Sequence, residues 1–162
     1  MQAELGRRMM RRLLLGFCAL IAAAQPADAF LAYVSNEKSN TVSVIDTDKW
    51  QVVRTIKVGQ RPRGIEVAKD GRHVFVAVGD DDTIQVIDTR TNEVVGTLPS
   101  GPDPEFFVQD AAGKLIYVAN ENDNTITVID IEKRERLAEI PVGVEPEGMA
   151  ISPDGKIVVN TS

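Results

Sequence analysis

From Phe30 onward, short runs of β-branched and apolar residues are separated by clusters of Gly, Asp, Asn and Pro. This pattern predicts strands joined by tight turns. The runs come in fours. One set is Pro62 to Lys69, Arg72 to Val78, Thr83 to Asp88 and Glu93 to Pro99, here called A to D from the inside of the unit outward. Asp70-Gly71 marks the hairpin between A and B, where a glycine with positive φ suits a tight turn. Asp88 opens the C–D turn, its carboxylate able to accept hydrogen bonds from backbone two residues on.

The pattern returns every 42 residues. Tyr33, Phe75 and Tyr117 share one position, Asp46, Asp88 and Asp130 a second, and Gly59, Gly101 and Gly143 a third. A fixed period built from four short strands predicts an all-β propeller of four-stranded blades. The expected units are blade 1 over 30–58, blade 2 over 59–100, blade 3 over 101–142 and a partial blade 4 over 143–162. Blade 1 opens on a B strand and the chain stops where the B strand of blade 4 would run. The expectation is therefore about three and a half blades of a longer ring. Alone, such an array is expected to self-associate through open edges and faces.

Antiparallel order decides which loops meet. The B–C loops (36–40, 79–82, 120–124) and the D–A loops (59–63, 101–105, 143–147) belong to one face, and the hairpin tips and C–D turns to the other.

Charge and the first 29 residues narrow the setting. Four of the 18 basic and two of the 24 acidic residues lie in residues 1–29, leaving 14 against 22 beyond them. That acidic balance argues against nucleic acid and against an anionic membrane as partner. Arg7, Arg8, Arg11 and Arg12 precede the apolar run Leu13 to Ala24 and then Ala27-Asp28-Ala29, the three parts of a secretory signal peptide. Cleavage after Ala29 and a periplasmic destination are expected. Cys18, the one cysteine, would leave with the leader, so no disulfide or thiolate ligand is expected.

The repeated elements YVSN and YVAN, VSVIDT and ITVIDI, IKVGQRPRGI and IPVGVEPEGMAISPDGK resemble the YVTN family of β-propeller repeats. Within it, TIKVGQRPRGIEV, VVGTLPSGPDPE and AEIPVGVEPEGMAISPDGK look most like the exported propellers associated with PQQ-dependent catabolism. The resemblance implies seven blades, or about 300 mature residues. It also implies a link to quinoprotein alcohol oxidation.

Positions that recur between copies read as scaffold, and positions that vary on a shared face read as candidate site. Asp46, Asp88 and Asp130 recur and read as turn caps. Arg61, Asp103 and Glu145 are equivalent, as are Arg63, Glu105 and Glu147, and all six fall in D–A loops beside the channel. Such a polarised mouth suits a metal ion, a zwitterion or a polycarboxylate, although solvated loop charge is the simpler reading. Asp80-Asp81-Asp82 reads as a solvated turn, lone His73 as a packing or edge residue, and Trp50 as folding over the strand stems. Phe106, where the other copies have Gly64 and Gly148, would line a pocket or fill the space those glycines leave. No nucleophile elbow, cofactor motif or dense metal loop is present. The sequence therefore favours a non-catalytic binding or accessory protein with no cofactor and an unidentified protein or small-molecule partner at the channel face. The alternative is a metal-dependent, lactonase-like hydrolase using the mouth carboxylates.

Overall fold

The computed structural model describes residues 30–162, so the expected signal peptide lies outside the described residues. Strands β1 (Leu31–Asn36), β2 (Thr41–Asp46) and β3 (Gln51–Lys57) form a first sheet. A second, in the order of the chain, comprises β4 (Pro62–Val67), β5 (His73–Val78), β6 (Thr83–Asp88) and β7 (Glu93–Pro99). The third repeats it with β8 (Pro104–Gln109), β9 (Leu115–Asn120), β10 (Thr125–Asp130) and β11 (Glu135–Pro141). Two short strands, β12 (Met149–Ile151) and β13 (Val158–Asn160), pair as a fourth. Every pairing is antiparallel. The fold is a partial β-propeller whose described sheets are its blades. Among the described residues no helix is long and apolar enough to cross a membrane.

Neighbouring blades are joined by apolar side chains, and β5, apolar on both faces, serves two junctions at once. Val42, Val44, Ile56, Val74, Val76 and Ile87 fill the space between the first and second sheets. Phe75, Val86, Leu98, Phe107, Ile116 and Val118 do so between the second and third. Most of these residues are wholly withdrawn from water, and burying a side chain of this size contributes about 1.5–3 kcal/mol.

The innermost strands approach too closely for a side chain. A Cβ on Gly64 would lie 2.5 Å from the carbonyl oxygen of Glu105 and 3.1 Å from the Cα of Phe106. That contact sets the backbone of β4 against β8, and so aligns the charged D–A loops of the two blades.

A repeated staple fixes those loops. Arg61, Asp103 and Glu145 all have left-handed backbone, with φ of 54°. Their N–H groups donate to the side-chain oxygens of Asn40, Asp82 and Asn124 at 3.1, 3.0 and 2.9 Å. The acceptor in each case ends the preceding blade's B–C loop. From the other side, Gly79 N–H donates to the Arg61 carbonyl and Glu121 N–H to that of Asp103, both at 3.0 Å. Arg61 and Asp103 are thus each held by the loops of two successive blades. Asn36 and Asn120 serve their own B–C loops, donating to Thr41 and Ser43 and to Thr125 and Thr127.

Candidate functional site

The clamped D–A loops bring four of the six candidate residues together. Arg61 Nη1 lies 3.2 Å from Asp103 Oδ2 and Arg61 Nη2 3.5 Å from Glu105 Oε1. Arg63 Nη2 pairs with Glu105 Oε2 at 2.5 Å. The guanidinium groups form the outer layer, about a third open to solvent, and the carboxylates the inner one, with Asp103 5% and Glu105 0% exposed. Solvated loop charge therefore does not describe Asp103 and Glu105. Packing of β4 against β8 places them under the arginines of the preceding blade.

Glu145 and Glu147 stand apart. Both are exposed, and each is held through its backbone, Glu145 N–H donating to Asn124 Oδ1 and Glu147 N–H to the Thr161 carbonyl.

Three further acids complete the cluster. Asp80 Oδ1 accepts from Arg61 Nη1 at 3.2 Å, and Glu37 pairs with Arg63 at 3.3 Å. Glu121 contributes a carboxylate oxygen within 4.8 Å of oxygens from Asp103 and Glu105. A signal for two of these lay in the period, since Glu37, Gly79 and Glu121 share one repeat position on the face already assigned to the site. Gly79 has its own consequence: a Cβ there would sit 2.5 Å from Asp103 Oδ1, so the missing side chain makes room for that carboxylate. The acidic triplet is not simply solvated. Asp80 holds Arg61, Asp81 accepts the Gln60 N–H, and Asp82 accepts that of Asp103.

Five carboxylates against two guanidinium groups leave an excess of negative charge. Burial, reinforced by Glu121 and Asp103 and opposed by Arg63, raises the Glu105 pKa from 4.5 to about 7. Two buried oxygens, Asp103 Oδ1 and Glu105 Oε2, accept no hydrogen bond, Glu105 Oε2 meeting Arg63 only as an ion pair. Asp103, Glu105 and Glu121 are the residues able to hold a cation, and their all-oxygen set suits a hard divalent ion such as Mg²⁺, Ca²⁺ or Mn²⁺. Without one, a proton on Glu105 relieves the charge.

The remaining candidates sit elsewhere. Asp46, Asp88 and Asp130 cap their turns, each accepting backbone N–H groups two or three residues on. His73 Nδ1 lies 2.9 Å from Asp70 Oδ2 at the start of β5. Phe106 is exposed on β8 and so fills no interior space. Trp50 does not cover the strand stems: it is 82% exposed, and among the described residues no blade precedes it to offer the contacts that Asn92 and Arg134 find at the same repeat position with Tyr33 and Gly96.

The family model described as "Lactonase, 7-bladed beta-propeller" matches residues 23–141. No curated protein matches the chain. Among solved structures, a chain described as Kuenenia stuttgartiensis hydrazine synthase superposes with a TM-score of 0.76 at 27% identity. The match covers 82% of this chain and 39% of that one, so the present chain spans well under half the length of the structure it resembles.

Proposed function

Because this chain belongs to the seven-bladed β-propeller lactonase family, we propose that its channel-face cluster opens a cyclic ester by general-base hydrolysis. The observation that carries the reading is Glu105, a fully buried carboxyl with its pKa near 7, in contact with two guanidinium groups. A base tuned to the working pH is what proton transfer from water requires. As the carboxylate, Glu105 removes a proton from a water attacking the lactone carbonyl. Arg61 and Arg63 stabilise the oxyanion that develops. Collapse breaks the ring C–O bond, the proton passes from Glu105 to the departing alkoxide, and the product is a hydroxy acid. The sequence alone favours a non-catalytic role; family membership together with the environment of Glu105 shifts the weight to hydrolysis.

A metal-assisted form of the same reaction is favoured by one observation, the hydrogen-bond vacancy at buried Asp103 Oδ1. Asp103, Glu105 and Glu121 would then be the ligands, and the ion would polarise the carbonyl.

The test is acid release by the full-length exported protein from a panel of γ- and δ-lactones, with and without chelator. Glu105→Gln should lower kcat/KM by about 10²-fold or more. Loss of activity with chelator and recovery with Mn²⁺ or Ca²⁺ would select the metal-assisted form. If no lactone is opened under either condition, the hydrolase reading fails. An exported accessory role beside quinoprotein alcohol oxidation would then be the better account. It is supported by the repeat wording, and would be checked by co-induction with a quinoprotein dehydrogenase on alcohol growth.

A further inference from the structure

A second recess lies at the other end of the same strands. β5 runs from His73 to Val78, and Val78 adjoins the charged cluster through Gly79. At the His73 end, a cavity of about 290 Å³ opens between the second and third blades. Its floor includes Phe75, Val86, Leu98 and Ile131, and charged side chains of the hairpin and the C–D turn surround it. The size sits at the lower edge of the range for small-ligand pockets, roughly 300–1,000 Å³.

In the groove between the first and second blades, the Tyr33 hydroxyl donates across to Asn92 Oδ1 at 2.9 Å, and within the second blade Thr89 Oγ1 donates to the Gly71 and Arg72 carbonyls. One period later Phe75 stands for Tyr33, Arg134 for Asn92 and Ile131 for Thr89. Gly96 likewise stands for Arg54 and His73 for Leu31. Four of these departures line the recess, and Gly96 adjoins it through Arg134. Phe75 and Ile131 remove the hydroxyls that hydrogen-bond in the earlier groove and leave apolar surface in their place, while Arg134 brings a charge to the rim. Gly96 gives up its side chain to the guanidinium of Arg134, whose Nη1 lies 2.6 Å from where a Cβ would be.

The charges at this recess are unevenly matched. Asp70 is occupied by His73 and by the Arg72 N–H, and Lys69 Nζ reaches Glu66 at 3.5 Å. Glu132 and Arg134 have no ion-pair partner among the described residues and do not pair with each other. One free carboxylate and one free guanidinium, two residues apart above an apolar floor, match a small zwitterion with an apolar tail. We propose that this recess binds an α-amino acid with a hydrophobic side chain. Arg134 takes the carboxylate, Glu132 the ammonium, and Phe75, Leu98 and Ile131 the side chain.

The experiment is calorimetric titration of the full chain with L-phenylalanine, 3-phenylpropionate and 2-phenylethylamine. Phenylalanine should bind about tenfold more tightly than either single-charge probe, the effect of one charge-assisted contact. Arg134→Asn, which installs the residue that Asn92 provides at the same left-handed φ, should cost about tenfold and abolish the preference over phenylethylamine. Ile131→Thr should also weaken phenylalanine, and circular dichroism would confirm that both variants fold. Glu105→Gln should leave phenylalanine binding unchanged, which separates this site from the channel cluster. No binding at millimolar phenylalanine, equal affinity for phenylpropionate, or an unaltered Arg134→Asn variant would each overturn the proposal.

Discussion

Replacing Glu105 with glutamine should remove a specific slope from the pH dependence of stability. In the folded protein the carboxyl titrates near 7, against an ordinary 4.5 in the unfolded chain. Between those values the native state holds a proton that the unfolded state has lost, so stability falls as pH rises from about 4.5 through 7 and is level on either side. At about 1.4 kcal/mol per pH unit, the full span is about 3 kcal/mol. Arg61 and Arg63 are a third open to water, and screening there reduces the figure to roughly 2–3 kcal/mol. The turn-capping carboxylates Asp46, Asp88 and Asp130 act in the opposite sense. Their pKa values are lowered by hydrogen bonds from the following residues, so their contribution is present above the ordinary carboxylate range and lost only in stronger acid.

Glutamine mimics the protonated acid, accepting from Arg63 while donating toward Glu121. Urea unfolding followed by circular dichroism at pH 5, 6, 7 and 8 measures the difference. The two proteins should be of similar stability at pH 5, and the variant more stable at pH 8 by about 2 kcal/mol or more. Parallel curves, or a parent protein that gains stability from pH 5 to 8, would refute the account of Glu105 as a strained, buried carboxyl. The same proton links stability to the proposed reaction: the deprotonated form that acts as base is the less stable one, so activity should rise through pH 7 as stability falls.

Two further outcomes follow from the geometry that supports the cluster. Gly64→Ala would drive a methyl into the Glu105 carbonyl at 2.5 Å, and because that neighbour is backbone it cannot swing away; thermal denaturation should show a loss of about 1–3 kcal/mol, and an unchanged midpoint would mean the inner strands are not in contact. Asp82→Ala removes the acceptor for the Asp103 N–H and places alanine at a φ of 54°; a loss of about 1–3 kcal/mol is expected, with Asp82→Asn restoring most of it in the same melts.

The repeat made strands, turn types and loop sides legible, because each depends on residues close in sequence. Gly71 and Gly113 do have positive φ, and the caps at Asp46, Asp88 and Asp130 are local devices. The burial of Glu105 was not legible. It depends on Gly64 of the preceding blade, 41 positions earlier in the chain, allowing β8 to approach β4. Glu147 occupies the same repeat position and is exposed, and the blade preceding it offers Phe106 where Gly64 stands for Glu105. Trp50 failed for a related reason. Apolar character suggested cover, but at this position the contact surface comes from the preceding blade: Asn92 and Arg134, with the same left-handed φ, meet Tyr33 and Gly96 of the blade before them, and no blade precedes Trp50 among the described residues.

Across the copies of the repeat the scaffold is held constant while side chains vary. At the channel end of the second and third blades the variation is in charge: Arg61 and Arg63 face Asp103 and Glu105, and Gly79 stands where other copies have glutamate. At the opposite end it is in size and hydrogen bonding, with Phe75 and Gly96 for Tyr33 and Arg54. Between the two lies one apolar cluster, including Leu98, Ile116 and Val118, whose residues are almost wholly buried. A packed interior of this kind has few alternative arrangements. Each end can therefore change its chemistry without disturbing the other, provided the cluster between them stays intact. This is why departures from the period, and not the recurring YVSN or VIDT runs, mark the two proposed sites.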